Sequence, residues 1–205
     1  SEDGIRSERF APAHPARICA FEYIYFARPD SIIGGRSVYE ARKQMGRQLA
    51  METPADVDVI VPVPDSGVPA AIGYSEASGI PFELGIIRSH FVGRTFIQPT
   101  QDRRDLSVRR KHSANAAVVR GKRVLLIDDS IVRGTTSLKI VRMMREAGAS
   151  EVHFRSACPP IKFPDFYGID MAGRAELIAA NMELDEMAAK LEADSLGFLS
   201  VDGLY

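Results

Sequence analysis

The sequence predicts an α/β domain built on a mostly parallel β-sheet. Short apolar segments with strand character alternate along the chain with amphipathic helical segments. Parallel strands need a crossover connection, usually a helix, so this alternation predicts βαβ units with right-handed connections. The two most unusual turns, at 64–67 and 128–136, both follow predicted strands. Because ligands of such sheets bind at the carboxyl ends of the strands, both turns are expected at one edge of the sheet.

The first half of the chain contains two predicted helices among three predicted strands. Aromatic and β-branched residues indicate strands, and a Ser-x-x-Glu capping box indicates the start of a helix. Pro62 favours an early end to its strand because proline cannot donate to a ladder. The predicted elements are a strand over 18–26, a helix from the Ser37 cap to about Met51, a strand over 57–63, a helix over 66–78 and a strand over 82–87.

The second half begins with a long polar and basic stretch that shows no periodicity. Loops of this length inside a compact domain are usually lids or disordered segments. The predicted elements are this loop over 92–116, a strand over 123–127, a helix from Thr136 to Gly148, a strand from Glu151 to Ala157, and two short helices near 173–181 and 183–192.

Composition excludes several classes of function. The net charge of −1 gives no general case for binding nucleic acid or a membrane surface, and no apolar run is long enough to span a bilayer. Residues 88–123 nevertheless hold ten Lys/Arg against two acids. A basic loop inside a neutral protein favours a small anionic ligand. Two cysteines without metal-ligand spacing are typical of a reducing compartment, so a cytoplasmic location is expected.

Two adjacent carboxylates, Asp128 and Asp129, follow directly after the apolar strand 124–127. Adjacent like charges are unfavourable unless a cation or hydroxyl groups lie beside them. A Mg²⁺ ion or a ribose diol would meet that need, whereas a solvated turn is the simpler interpretation.

The residues that follow favour a phosphate site. Residues 130–136 supply hydroxyl groups, a glycine and a cation, and then a helix begins. Backbone N–H groups at a helix N-terminus bind phosphate, and Gly134 allows the backbone to approach it closely. Thr135 and Thr136 can donate to phosphate oxygens or simply cap the helix.

The run VLLIDDSIVRGTTS at 124–137 resembles the phosphoribosyl pyrophosphate (PRPP) loop of type I phosphoribosyltransferases. Further segments are similar to those of the amidophosphoribosyltransferase family within that group. They are FEYIYFARPDS (21–31), VYEAR (38–42), VPVPDSG (61–67), VGRTFIQPTQ (92–101), VRRK (108–111), PPIKFPDFYGID (159–170) and ADSLGFLSVDGL (193–204). The resemblance covers nearly the whole chain from Ile18.

The resemblance implies a type I phosphoribosyltransferase fold over 18–205, with a parallel twisted sheet, a small hood, a flexible lid loop and short helices in the tail 171–205. It implies transfer of the phosphoribosyl group of PRPP to ammonia. The residues implied to bind PRPP are Asp65, Ser66, Gly67, Asp128, Asp129, Ser130, Ile131, Val132, Arg133, Gly134, Thr135 and Thr136. Asp128, Asp129, Arg94 and Lys111 are implied to be catalytic, and Ser66, Asp128 and Asp129 to hold Mg²⁺.

The family also has an amino-terminal glutaminase domain with an N-terminal cysteine nucleophile. Residues 1–17 resemble the region that joins the two domains, so we expect them to be a linker and the glutaminase half to be missing. Some members carry a four-cysteine iron–sulfur cluster; Cys19 matches one ligand position, but the second is Asp165 here, so no cluster is expected and Cys19 is predicted to be a small buried side chain. The family further implies purine nucleotides as inhibitors and a homo-oligomer.

Two alternative functions remain open from the sequence. One is a phosphoribosyltransferase that acts on a nucleobase, against which the match along the whole chain argues. The other is a non-catalytic PRPP- or nucleotide-binding regulator. A regulator is expected to have lost lid residues, whereas Arg94, Lys111 and both acids are retained here, although residues 89–91 and 112–113 depart from the family pattern.

Overall fold

The central sheet has four parallel strands. The computed structural model describes residues 18–88, 112–165 and 173–204, with Gly4, 8–9 and 12–13 from the N-terminal segment. The strands are β3 (Val59–Pro62), β6 (Arg123–Asp128), β7 (Glu151–Ser156) and β8 (Ser195–Phe198), and they lie in the order β3-β6-β7-β8. The predicted parallel α/β architecture is confirmed.

Helices cover both faces of this sheet. Helices α1 (Val38–Glu52) and α2 (Val68–Ser78) cover one face, and α4 (Thr135–Glu146) and α6 (Leu184–Leu191) cover the other. Side chains of a strand alternate between faces, so the central strands must be apolar on both sides. Ile60, Leu125 and Ile127 accordingly pack with α1 and α2, whereas Val61 and Leu126 pack with α4.

Short elements complete the described chain. They are β1 (Ile32–Ile33), β2 (Arg36–Ser37), β4 (Ile86–Arg88), β5 (His112–Ala114), α3 (Ala116–Val119), a 3₁₀ turn at Arg174–Glu176, α5 (Ile178–Asn181) and a 3₁₀ turn at Asp202–Leu204. Strands β1 and β2 pair antiparallel, as do β4 and β5. None of the helices within the described residues is long and apolar enough to cross a membrane.

The predicted strand over 18–26 is wrong. Ala20 and Phe21 are helical and Glu22–Phe26 form a π-helical turn. The reason is a tertiary contact: the Arg42 guanidinium donates to the carbonyl oxygens of Tyr23 (2.7 Å) and Ala27 (2.9 Å), which a coiled backbone brings together. The prediction that Cys19 is buried is also wrong, since its side chain is exposed.

Several other boundaries differ from the prediction. Only Ile86 and Ile87 of the strand predicted over 82–87 belong to β4; Phe82 forms an isolated bridge with Ile60, and Gly85 lies against Val61. The predicted loop 92–116 ends early, because its last residues form β5 and the start of α3. Strand β8 lies in the tail predicted to hold only short helices.

Two glycines allow α1 and α2 to pack backbone to backbone. A Cβ atom on Gly46 of α1 would lie 1.9 Å from the carbonyl oxygen of Ala70 in α2. Reciprocally, a Cβ atom on Gly73 of α2 would lie 2.0 Å from the carbonyl oxygen of Lys43 in α1. Because both obstacles are backbone atoms, a side chain at either position would force the helices apart.

Gly46→Ala should therefore destabilise the domain by about 2 kcal/mol. Alanine gains about 1 kcal/mol in helix propensity, but overpacking costs about 3 kcal/mol. Urea unfolding measures the change. Gly173→Ala is the matched control, since its φ is −55° and its added Cβ meets nothing within 4 Å. Equal unfolding midpoints for the two variants would contradict this account of the α1–α2 contact.

Candidate active site

The loop 63–67 lies directly against the end of β6. Strands β3 and β6 run in register, with Pro62 opposite Ile127, so they end together. The N–H of Val63 donates to the Ile127 carbonyl oxygen (2.8 Å). A Cβ atom on Gly67 would lie 2.4 Å from that same oxygen and 3.3 Å from the Cα of Asp128. Gly67 is thus the residue type that lets this loop touch the acid pair.

Asp128 and Asp129 form a buried pair of carboxylates at the carboxyl end of β6, only 9% and 8% exposed. Burial raises the pKa of Asp128 well above its usual range, the Asp129 charge raises it further, and the N–H of Asp129 lowers it. Burial likewise raises the pKa of Asp129. The folded chain therefore disfavours two full negative charges here. A cation or the hydroxyl groups of a ligand would reduce both the cost of burying the carboxylates and the repulsion between them.

Three groups of the chain partly stabilise the Asp129 carboxylate. The hydroxyl group of Ser130 donates to it (2.5 Å), and the nearby Ser66 hydroxyl group and the positive charge of Arg42 act on it; all three lower its pKa. The structure thus brings together the three residues predicted to hold a metal: Ser66, Asp128 and Asp129. Arg42 was missed by sequence reasoning. Its signal was a single basic residue on the apolar face of α1, between Val38 and Met45.

Residues 130–136 wrap from the acid pair into the N-terminus of α4. Gly134 has φ +75°, a left-handed conformation that favours glycine, and begins the helix. Thr135 and Thr136 are exposed in the first turn, where N–H groups have no acceptor within the helix. Buried Ile131 anchors the loop in the core, so its side chain is unavailable to a ligand. The exposed Arg133 side chain pairs through Nε with Glu176 (2.6 Å).

The antiparallel pair of strands β4 and β5 contacts the loop 63–67 of this site. Arg88, the last residue of β4, lies opposite His112, the first residue of β5, and forms an ion pair with Asp65. Arg88 and His112, the described residues on either side of 89–111, therefore lie near the loop 63–67. Arg94 and Lys111, predicted to be catalytic, lie outside the described residues.

Comparison with known proteins identifies this arrangement. Residues 37–160 match the family described as the phosphoribosyl transferase domain, which includes both turns and both acids. The chain belongs to this phosphoribosyl transferase domain family.

Relatives that are similar over nearly the whole chain include several amidophosphoribosyltransferases. The chain is 64% identical over 202 residues (98% of the chain) to the amidophosphoribosyltransferase of Rhizobium etli. It is 54% identical over 204 residues to that of Bacillus subtilis. The solved B. subtilis glutamine PRPP amidotransferase, complexed with ADP and GMP, has a TM-score of 0.87 at 55% identity over 99% of the chain. The chain spans 41% and 43% of the two relatives' lengths and 45% of the solved chain.

The donor set of this phosphoribosyl transferase site fits a hard divalent cation. Asp128, Asp129 and Ser66 present oxygen atoms, and the two carboxylates share a buried, electrostatically unfavourable position. The described residues contain no group of three or more histidine, cysteine or acidic side chains that could enclose a metal. Mg²⁺ rarely needs such a cage, because it keeps water and substrate phosphates among its ligands.

Cys158 lies behind the acid pair at the end of β7. Its side chain is 3% exposed, and burial together with the Asp129 charge raises its thiol pKa to about 12. Since the thiolate is the reactive form, Cys158 should be inert in the folded phosphoribosyl transferase domain, whereas Cys19 is exposed.

A disulfide reagent at pH about 8, near the ordinary cysteine pKa, should therefore modify Cys19 rapidly and Cys158 only after unfolding. The measurement is thiol stoichiometry against time, with and without denaturant. Cys19→Ala, which leaves the buried thiol alone, should show almost no reaction in the folded state. Rapid labelling of that variant would contradict the burial of Cys158.

Proposed function

We propose that this chain carries the phosphoribosyl-transfer site of an amidophosphoribosyltransferase. It transfers the 5-phosphoribosyl group of PRPP to ammonia and gives 5-phosphoribosylamine and pyrophosphate, the first step of de novo purine synthesis. One observation carries the proposal: a buried acid pair lies between the loop 63–67, which packs against the end of β6, and a helix N-terminus that begins at Gly134. Identity of 64% to an amidophosphoribosyltransferase supports ammonia as the acceptor.

The acid pair and the loop after it would hold PRPP by its ribose and its 5-phosphate. Asp128 and Asp129 would accept hydrogen bonds from the ribose hydroxyl groups, which relieves the cost of their burial. The N–H groups at 130–136 and the hydroxyl groups of Thr135 and Thr136 would bind the 5-phosphate. Holding the sugar at both ends would fix the position of C1 for attack by ammonia.

During the reaction, positive charge develops on the ribose ring and negative charge on the departing pyrophosphate. The nitrogen lone pair forms the bond to C1 while the C1–O bond breaks, and pyrophosphate leaves with the bonding electrons; the new ammonium group then loses a proton to solvent. Asp128 and Asp129 would stabilise positive charge on the ribose ring. Arg94, Lys111 and Ser66 would stabilise the departing pyrophosphate. Ammonia is already a nucleophile, so no strong general base is required.

A bound Mg²⁺ would add positive charge beside the leaving pyrophosphate, and Asp128, Asp129 and Ser66 are the residues that would hold it. In the intact enzyme a glutaminase domain would supply ammonia from glutamine. Purine nucleotides as inhibitors, assembly into a homo-oligomer and a cytoplasmic location belong to the same proposal. The B. subtilis neighbour, complexed with ADP and GMP, supports the nucleotide part of it.

The chain should release pyrophosphate from PRPP and Mg²⁺ at a rate that rises with ammonium chloride concentration at alkaline pH. A coupled pyrophosphate assay measures this rate, and nucleobases in place of ammonium should have no effect. Release driven by a nucleobase instead would identify a nucleobase phosphoribosyltransferase. PRPP binding without release above the uncatalysed rate would indicate a non-catalytic regulator.

Asp128→Asn should lower kcat/KM by about 100-fold or more, a loss typical of removing one preorganised charged contact. Lys122→Ala should leave it unchanged, because Lys122 precedes the opposite end of β6, about 20 Å from the acid pair along the strand. The urea midpoint of Asp128→Asn should equal or exceed that of the wild type. A raised pKa means that the ionised carboxylate destabilises the folded chain above that pKa, and asparagine removes this penalty. Equal kcat/KM losses in both variants would contradict the proposed site.

A further inference from the structure

The phosphate loop, residues 130–136, is joined to the tail of the chain by two contacts. The Arg133 Nε atom donates to the Glu176 carboxylate at 2.6 Å. The backbone N–H of Ile178 donates to the Val132 carbonyl oxygen at 3.0 Å. Glu176 is the last residue of the first 3₁₀ turn, and Ile178 begins α5. A side-chain contact and a backbone contact from one short tail segment thus hold two consecutive residues of the loop.

The tail also packs against the end of the loop, where α4 begins. A Cβ atom on Gly134 would lie 2.9 Å from the Cδ1 atom of Ile178 and 3.0 Å from the Cδ2 atom of Leu191. Ile178 and Leu191 are core side chains, 4% and 1% exposed. Because the core fixes their positions, they limit the movement of the loop on this side.

Asn181, the last residue of α5, stabilises the tail segment that makes these contacts. Its side-chain amide donates to the carbonyl oxygens of Arg174 at 2.9 Å and Leu177 at 2.8 Å. Carbonyl groups in so short a helical turn lack the full hydrogen-bond pattern of a longer helix, so a side-chain donor stabilises the turn. Glu176 lies between these two residues. Asn181 therefore fixes the backbone that carries the Glu176 carboxylate.

We propose that Asn181 and Glu176 are positioning residues that order the phosphate loop for the 5-phosphate of PRPP. This inference rests on the proposed function, because it takes the 5-phosphate as the group bound at 130–136. A loop that binds through backbone N–H groups must hold several of them in one geometry, and ordering them only on binding would cost affinity. The tail orders the loop in advance through Val132 and Arg133, and neither Asn181 nor Glu176 needs to contact the ligand.

Asn181→Ala should weaken the binding of the 5-phosphate without weakening the binding of pyrophosphate. Losing hydrogen bonds that order the loop should raise the Kd for ribose 5-phosphate and the KM for PRPP by about threefold or more. The Kd for pyrophosphate with Mg²⁺ and the kcat should stay within about twofold, because other residues, Ser66 among them, would hold the pyrophosphate. Asn115→Ala is the control, since Asn115 makes no side-chain capping hydrogen bond, and it should match the wild type.

A second variant tests the ion pair itself. Arg133→Gln combined with Glu176→Gln removes the pair and leaves the net charge unchanged, so it should show the same selective loss. Arg142→Gln combined with Glu192→Gln is the matched control. That pair links α4 to the residue after α6 at 2.5 Å, and both pairs are about half exposed. Its removal should change neither Kd.

Calorimetric titration of the folded chain measures both Kd values, and steady-state kinetics with PRPP measures KM and kcat. An unchanged Kd for ribose 5-phosphate in either folded test variant, or an equal loss for pyrophosphate, would overturn the positioning role. Should Asn181→Ala fail to fold, the variant without the ion pair still decides, since both of its altered side chains are about half exposed. A wild-type chain that binds neither ribose 5-phosphate nor PRPP would instead contradict the proposed function.

Discussion

The in-register pairing of β3 with β6 determines where everything else in the site can lie. Because Pro62 lies opposite Ile127, the two strands end at the same level, and the next residues of both enter the same space. The Ile127 carbonyl oxygen accepts from the Val63 N–H, and Gly67 lies against the same oxygen. A slip of one residue would turn the side chains of a strand to the opposite face and separate Ser66 from Asp129. The register of the backbone pairing therefore determines which side chains meet in the site.

The acid pair at this edge of the sheet carries a free-energy cost that a bound ligand would reduce. Two adjacent carboxylates are buried, and their pKa values are raised by that burial. A protein selected for stability alone would place apolar or amide side chains there. The surrounding apolar core, with Leu125, Leu126 and Ile127 fully buried, supplies the stability that tolerates the pair. A sugar diol or a cation bound here would thus offset part of the free-energy cost of burying the pair.

The elements that could be predicted were those whose signals lie in a short, continuous stretch of sequence. Residues 123–136 carry a strand, an acid pair, a left-handed glycine and a helix start in one run, and each of these signals survives in the structure. Strand β8 was missed because it is four residues long and includes Gly197. A distant side chain explains why glycine is needed at position 197. A Cβ atom there would lie 2.8 Å from the Cδ of Arg155, whose side chain crosses the strand. Pairing with β7 outweighs the poor strand propensity of glycine.

The π-helical turn shows how one distant side chain can override a local pattern. Residues 22–26 have strand composition, yet Arg42 bonds the carbonyl oxygens of Tyr23 and Ala27 at once. In a strand, carbonyls four residues apart are separated by about 13 Å, too far for one guanidinium, whereas a helical turn brings them within about 6 Å. Satisfying two donors of the buried Arg42 guanidinium with these carbonyls therefore requires a coiled backbone at this point. The π-helical turn, which the local pattern did not predict, is thus the conformation that holds the buried Arg42 side chain.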